Sequence, residues 1–162
     1  MTILRSLLIC CSLAFSLSLG SAHADNLSIV KVFYDFLGAP SSEAKAQAFL
    51  EIASEDWESI GNYSGKSNSR EDVVKRLGGI SKMIPDLVWE VQEMYEDGDT
   101  VIVRSRATGT PTGQFFGVDG EGRSFDIMAI DIHKLKDGLL VRTYHVEDWA
   151  GAVRQLKGDN AH

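Results

Sequence analysis

The sequence predicts an α+β domain, with helices covering one face of a curved antiparallel sheet. Helical apolar spacing dominates the first half, and Pro85 closes the last helix there. Four long runs of strand character follow. Asp97-Gly98 and Asp137-Gly138 separate two pairs of those runs, and Asp-Gly is hairpin-turn chemistry.

The elements follow in chain order. Met1 to Ala24 has the form of a secretory signal: Arg5 is its positive end, and Leu7 to Leu19 its apolar stretch. Ala22-His23-Ala24 supplies the small-x-small pattern for cleavage before Asp25. The apolar stretch is about 13 residues, short of the roughly 20 that cross a bilayer. From Asn26 to Leu37, Leu27, Val30, Phe33, Tyr34 and Leu37 repeat at helical spacing, ending before Gly38-Ala39-Pro40. Ser42 caps a second helix through Ile52, and Trp57 to Tyr63 is a short extended segment. Ser69 opens a third helix, with Glu71 and Asp72 where the helix dipole favours acids. Strands are expected over Leu87–Glu96, Thr100–Thr110, Ser124–Leu135 and Leu139–Glu147, then a helix from Asp148 to Leu156. The glycine-rich segment Pro111 to Arg123 is expected to be a flexible loop. With no internal repeat or linker, residues 25–162 form one domain.

Composition narrows the chemistry. Cleavage would remove Cys10 and Cys11, the only cysteines, leaving neither disulfide nor thiol nucleophile. It would also remove Arg5, the segment's only charged residue, taking the net charge from -7 to -8. An acidic domain without a basic run argues against nucleic acid and anionic membrane as partners. The expected location is periplasmic or extracellular.

The two histidines away from the ends of the chain, His133 and His145, both lie in the last hairpin, near Asp131 and Asp148. A three-residue loop in the first hairpin pairs Val91 with Val103 and Trp89 with Ser105, and sets Glu90 against Arg104 across the other face. The same loop in the second hairpin pairs Asp131 with Thr143, His133 with Val141 and Ala129 with His145. One face then carries Asp131, His133, Thr143 and His145. The other carries Met128, Ile130, Ile132 and Tyr144, an apolar patch that predicts a homodimer.

Pro85-Asp86, Gly98-Asp99, Gly109-Thr110, Gly113, Gly117, Gly122-Arg123, Asp137-Gly138, Asp148 and Gln155-Leu156 together resemble the SnoaL-like polyketide cyclases. These belong to the nuclear-transport-factor-2-like superfamily of cone-shaped α+β domains. The resemblance covers about residues 25 to 157 and is sharpest after Pro85. It implies that Asp148, following the last long strand, occupies the place of an acid/base aspartate. Ile130-Asp131-Ile132-His133 also looks like the ketosteroid-isomerase strand that carries a neutral, hydrogen-bond-donating aspartate. The base of those isomerases lies on an earlier segment, where this chain offers Asn62 or Tyr63.

Two functions stay open. In the first, Asp148, His145, Asp131 and His133 perform cofactor-free acid/base chemistry on a small hydrophobic carbonyl compound, as a cyclase or isomerase. Trp57, Asn62, Tyr63 and Thr143 would shape its pocket. In the second, the same pocket binds a small hydrophobic molecule without turnover. A metal held by His133, His145, Asp131 or Asp148 has no local motif behind it. Arg123 and Asp126 lack the spacing of an Asp-Arg-Asp epoxide hydrolase.

Overall fold

Caps set where the helices begin. The computed structural model describes residues 25–63 and 65–159, so the expected signal segment lies outside the described residues. Asp25 accepts from the Leu27 amide and opens α1 (Asn26–Leu37). Ser42 caps α2 (Glu43–Ile52), which runs directly into β1 (Ala53–Ile60). Ser69 and Asp72 form a reciprocal capping box on α3 (Arg70–Met83), satisfying amides that the helix leaves unpaired. α3 ends ahead of Pro85, as expected.

The remaining elements are β2 (Val88–Asp97), β3 (Thr100–Gly109), β4 (Gln114–Phe115), β5 (Val118–Asp119), β6 (Phe125–Lys136), β7 (Leu139–Glu147) and α4 (Trp149–Lys157). Five strands form one sheet in the order β1-β7-β6-β3-β2. β2, β3, β6 and β7 pair antiparallel, whereas β1 joins the edge parallel to β7, so the sheet is mixed. β1 begins four residues before the expected Trp57, because α2 has no intervening turn. The segment expected to be a flexible loop contains the two-stranded β4–β5 hairpin.

The pairing of both hairpins differs from the three-residue expectation. Each has a two-residue turn and a bulge. The first turns at Gly98-Asp99, with Gly98 at φ 55°, and its register shifts between Val91 and Glu93. Trp89 therefore faces Ala107 and Val91 faces Ser105, while Arg104 pairs with Glu93 rather than Glu90. The second turns at Asp137-Gly138, both left-handed. A register shift beyond Lys134 then sets His133 against Thr143, Asp131 against His145 and Ala129 against Glu147. Each partner moves by two positions, which preserves the side-chain faces of a period-two strand. The expected inward set therefore survives the changed register.

Along β6, Phe125, Ile127, Ala129, Asp131, His133 and Leu135 are buried, and the intervening residues face outward. The inner face meets the helices in two apolar clusters. One gathers Phe33, Phe36, Phe49 and Trp57 with Val101 and Val103. The other gathers Ile84, Phe115, Phe125 and Ile127 with Ala152 and Leu156. The outer face leaves Ile102, Met128, Ile130 and Val146 exposed.

Candidate functional site

Between the two clusters the packing leaves a cavity of about 430 Å³. Phe33 and Leu77 line it from the first cluster and Phe115 from the second; Trp89 and Trp149 complete much of its apolar wall. The polar groups are concentrated on the sheet side: Ser59, Asp131, Thr143, His145 and Glu147. An apolar cavity with a few convergent polar groups is the usual form of a small-molecule site.

Asp131 ends a buried hydrogen-bond chain. Trp57 Nε1 donates to Thr143 Oγ1 at 3.2 Å, and an indole can only donate. Thr143 Oγ1 lies 3.0 Å from His133 Nδ1, and His133 Nε2 lies 3.1 Å from the Tyr34 hydroxyl. Tyr34 donates to Asp131 Oδ2 at 2.6 Å. Each group has one proton to give, so the chain runs from Trp57 through Thr143, His133 and Tyr34 to Asp131. It requires a neutral His133 carrying its proton on Nε2. Desolvation, helped by the charge of His145, pushes His133 down to about 3 and keeps it neutral.

Burial also pushes Asp131 up to about 7. The Tyr34 hydrogen bond and the His145 charge oppose that rise, and the Glu147 charge adds to it. Tyr34 itself is raised well above its ordinary value by burial and by Asp131, so it remains a donor. With Oδ2 accepting from Tyr34, a proton on Asp131 sits on Oδ1. A buried carboxylic acid near neutrality can donate to a carbonyl oxygen or take up a proton.

His145 belongs to a second chain. Glu147 Oε1 lies 2.7 Å from His145 Nδ1, and Trp149 Nε1 holds the other carboxylate oxygen at 3.1 Å. A carboxylate only accepts, so Nδ1 carries a proton and Nε2 is the basic nitrogen. Ser59 Oγ sits 3.0 Å from Nε2. Burial alone would lower the pKa of His145, but the Glu147 hydrogen bond and the charges of Glu147 and Asp131 together raise it. A Cβ on Gly61 would lie 2.8 Å from His145 Cε1, so the bare Gly61 backbone gives the ring its room.

The expected site residues divide. Asp131, Thr143 and His145 line the cavity, and His133 lies fully buried directly behind it. Trp57 is core, supporting Thr143. Tyr63 is 96% exposed and, with Asn62, borders a separate outer cleft beside Ile130 and Tyr144. Asp148 caps α4 by accepting from the Gly151 amide at 2.8 Å; its side chain is 54% exposed and lines no part of the cavity. Strand alternation explains this, because residues 145 and 147 point inward and 148 begins the turn into the helix. The same alternation singles out Glu147, which the sequence reading left unassigned. Tyr34 and Ser59 were missed for another reason: they reach the site from distant segments that no local pattern connects to the last hairpin. Among the described residues no group of three or more histidine, cysteine, aspartate or glutamate side chains is placed to hold a metal ion.

Comparisons with known proteins agree with this architecture. IdmH from Streptomyces antibioticus is similar in structure at a TM-score of 0.71 and 21% identity, covering 82% of this chain and 99% of that one. A protein from Jannaschia sp. CCS1, assigned as a SnoaL-like polyketide cyclase, gives 0.70 at 21% identity, covering 85% and 93%. A protein of ketosteroid isomerase-like fold from Catenulispora acidiphila, in complex with trimethylamine, gives 0.63 at 14% identity, covering 80% and 92%. At these identities the likeness establishes the fold. No curated protein sequence matches the chain. The sequence profile of the SnoaL-like polyketide cyclases matches residues 30–156, and the chain belongs to that family.

Proposed function

We propose that this domain performs cofactor-free acid/base chemistry on a small hydrophobic carbonyl compound, as a cyclase or isomerase. The observation that carries the reading is one apolar cavity receiving both a buried acid near neutrality, Asp131, and an imidazole oriented by a carboxylate, His145. His145 Nε2 takes the proton from the carbon beside the carbonyl, after the Ser59 hydroxyl rotates away. Asp131 Oδ1–H donates to the carbonyl oxygen as negative charge develops there. Returning the proton elsewhere gives an isomer, and attack by the enolate carbon on a second carbonyl closes a ring. Glu147 holds the imidazole tautomer, and Trp149 holds Glu147.

A second reading is a non-catalytic small-ligand carrier. The hydrogen bond from Ser59 to Nε2 favours it, because that bond satisfies the base within the protein. Binding a panel of two- to four-ring ketones and then assaying the bound compounds for product separates the two. Product from any of them supports the enzyme, and tight binding without product supports the carrier.

Export and dimerisation complete the proposal. Arg5, Leu7 to Leu19 and Ala22-His23-Ala24 support export, and Asp25, which would be the first residue after cleavage, is the cap of α1. N-terminal sequencing of extracytoplasmic protein should begin at Asp25; a start at Met1 in the cytoplasm would refute export. Exposed Met128, Ile130 and Val146 support a homodimer through the outer sheet face. Light scattering should give twice the monomer mass, and Ile130→Glu should halve it. A wild-type monomer at micromolar concentration would refute the dimer.

A further inference from the structure

The cavity also contains a cation that the chemistry above does not use. Arg76 lies on α3, on the same face as Val73, Leu77 and Ile80, and all four line the cavity. Among the described residues there are seven arginines, and six of them have a carboxylate partner: Arg70 with Glu71, Arg104 with Glu93, Arg106 with Asp126, Arg123 with Glu121, Arg142 with Glu58 and Arg154 with Asp148. Arg76 alone has none. One turn earlier on its own helix, Asp72 is committed to the capping box with Ser69, and Glu71 is taken by Arg70.

Arg76 is exposed as well as lining the cavity, so its guanidinium is open to solvent and available to an anion entering there. Guanidinium binds carboxylate through paired, charge-assisted hydrogen bonds. The chain as a whole is acidic, with a net charge of -7, so anions are repelled except where a local cation concentrates them. Arg76 also acts on His145, opposing its protonation. A ligand group engaging Arg76 therefore lies within electrostatic reach of the proposed base.

We propose that the substrate is a hydrophobic ketone bearing a free carboxylate, and that Arg76 binds this carboxylate while the ketone reaches Asp131 and His145. The inference rests on the reading of the cavity as a carbonyl-compound site and adds the anionic group to it. It makes Arg76 a specificity residue that distinguishes the free acid from its ester.

The test uses 6-acetyl-2-naphthoate and its methyl ester, titrated calorimetrically into wild type, Arg76→Gln and Arg76→Lys. The acid should bind wild type about tenfold tighter than the ester, as one charge-assisted pair permits. Arg76→Gln should abolish that preference, so that acid and ester bind it with equal affinity, and Arg76→Lys should keep part of it. Salt should weaken the acid and leave the ester alone. Equal binding of acid and ester to wild type would overturn the inference and leave the cavity reading intact. So would a preference that persists in Arg76→Gln, or an equal loss for both ligands. If neither compound binds wild type, the cavity reading is overturned, and this inference with it.

Discussion

Replacing Asp131 with Asn removes one titrating group while keeping an oxygen that can accept from Tyr34. In the folded protein Asp131 holds its proton up to about pH 7, against an ordinary carboxyl value of 3.8. Its contribution to stability is therefore fully present below about pH 4 and is lost as pH rises through about 7. At about 1.4 kcal/mol per pH unit, the loss amounts to at most about 4 kcal/mol. His133 acts in the opposite sense. Held down to about 3 in the fold, it contributes stability above its ordinary 6.5 that is lost as pH falls toward 3. Between about pH 4 and 6.5 the two slopes oppose each other in wild type, and Asp131→Asn leaves only that of His133. Urea unfolding of both proteins, followed by tryptophan fluorescence across this range, measures the difference. Relative to wild type, the variant should gain up to about 4 kcal/mol on going from about pH 4 to about pH 8. A difference that stays constant with pH would refute a neutral, buried Asp131.

Two further substitutions test the geometry around His145. Gly61→Ala places a methyl 2.8 Å from His145 Cε1, so the ring must leave its present position. Turnover should fall about tenfold or more with the melting temperature little changed, and wild-type turnover would contradict the fit. Asp148→Ala should cost about 1 kcal/mol of stability through the lost cap, and Asp148→Asn a few tenths. Both should keep turnover; a hundredfold loss in well-folded Asp148→Asn would restore Asp148 as the acid/base group.

Local chemistry made most of the fold legible. Ser42 and Ser69 mark their helices because their side chains accept from amides that the helix leaves unpaired. Pro85 marks an end because proline biases the residue before it away from helix. The inward set Asp131, His133, Thr143 and His145 was readable because strand faces depend only on the parity of the register. Exact pairing was not, since a bulge after Val91 or Lys134 has no distinctive residue and depends on how the sheet curves over the helices. The site was half visible for a similar reason. Asp131 and His145 announce themselves as titratable groups on an inward face. Tyr34 and Ser59 look like ordinary helix and strand residues until α1 and β1 bring them across 97 and 86 positions of sequence.

The most direct test of the central claim is solvent deuterium incorporation beside the carbonyl of a bound bicyclic ketone such as 2-tetralone, followed by NMR. Wild-type protein should accelerate the exchange well above the buffer rate. His145→Gln should bind the ketone equally well and lose at least about a hundredfold of that acceleration. Exchange at the buffer rate in wild type with the ketone bound, or undiminished exchange in His145→Gln, would contradict the account.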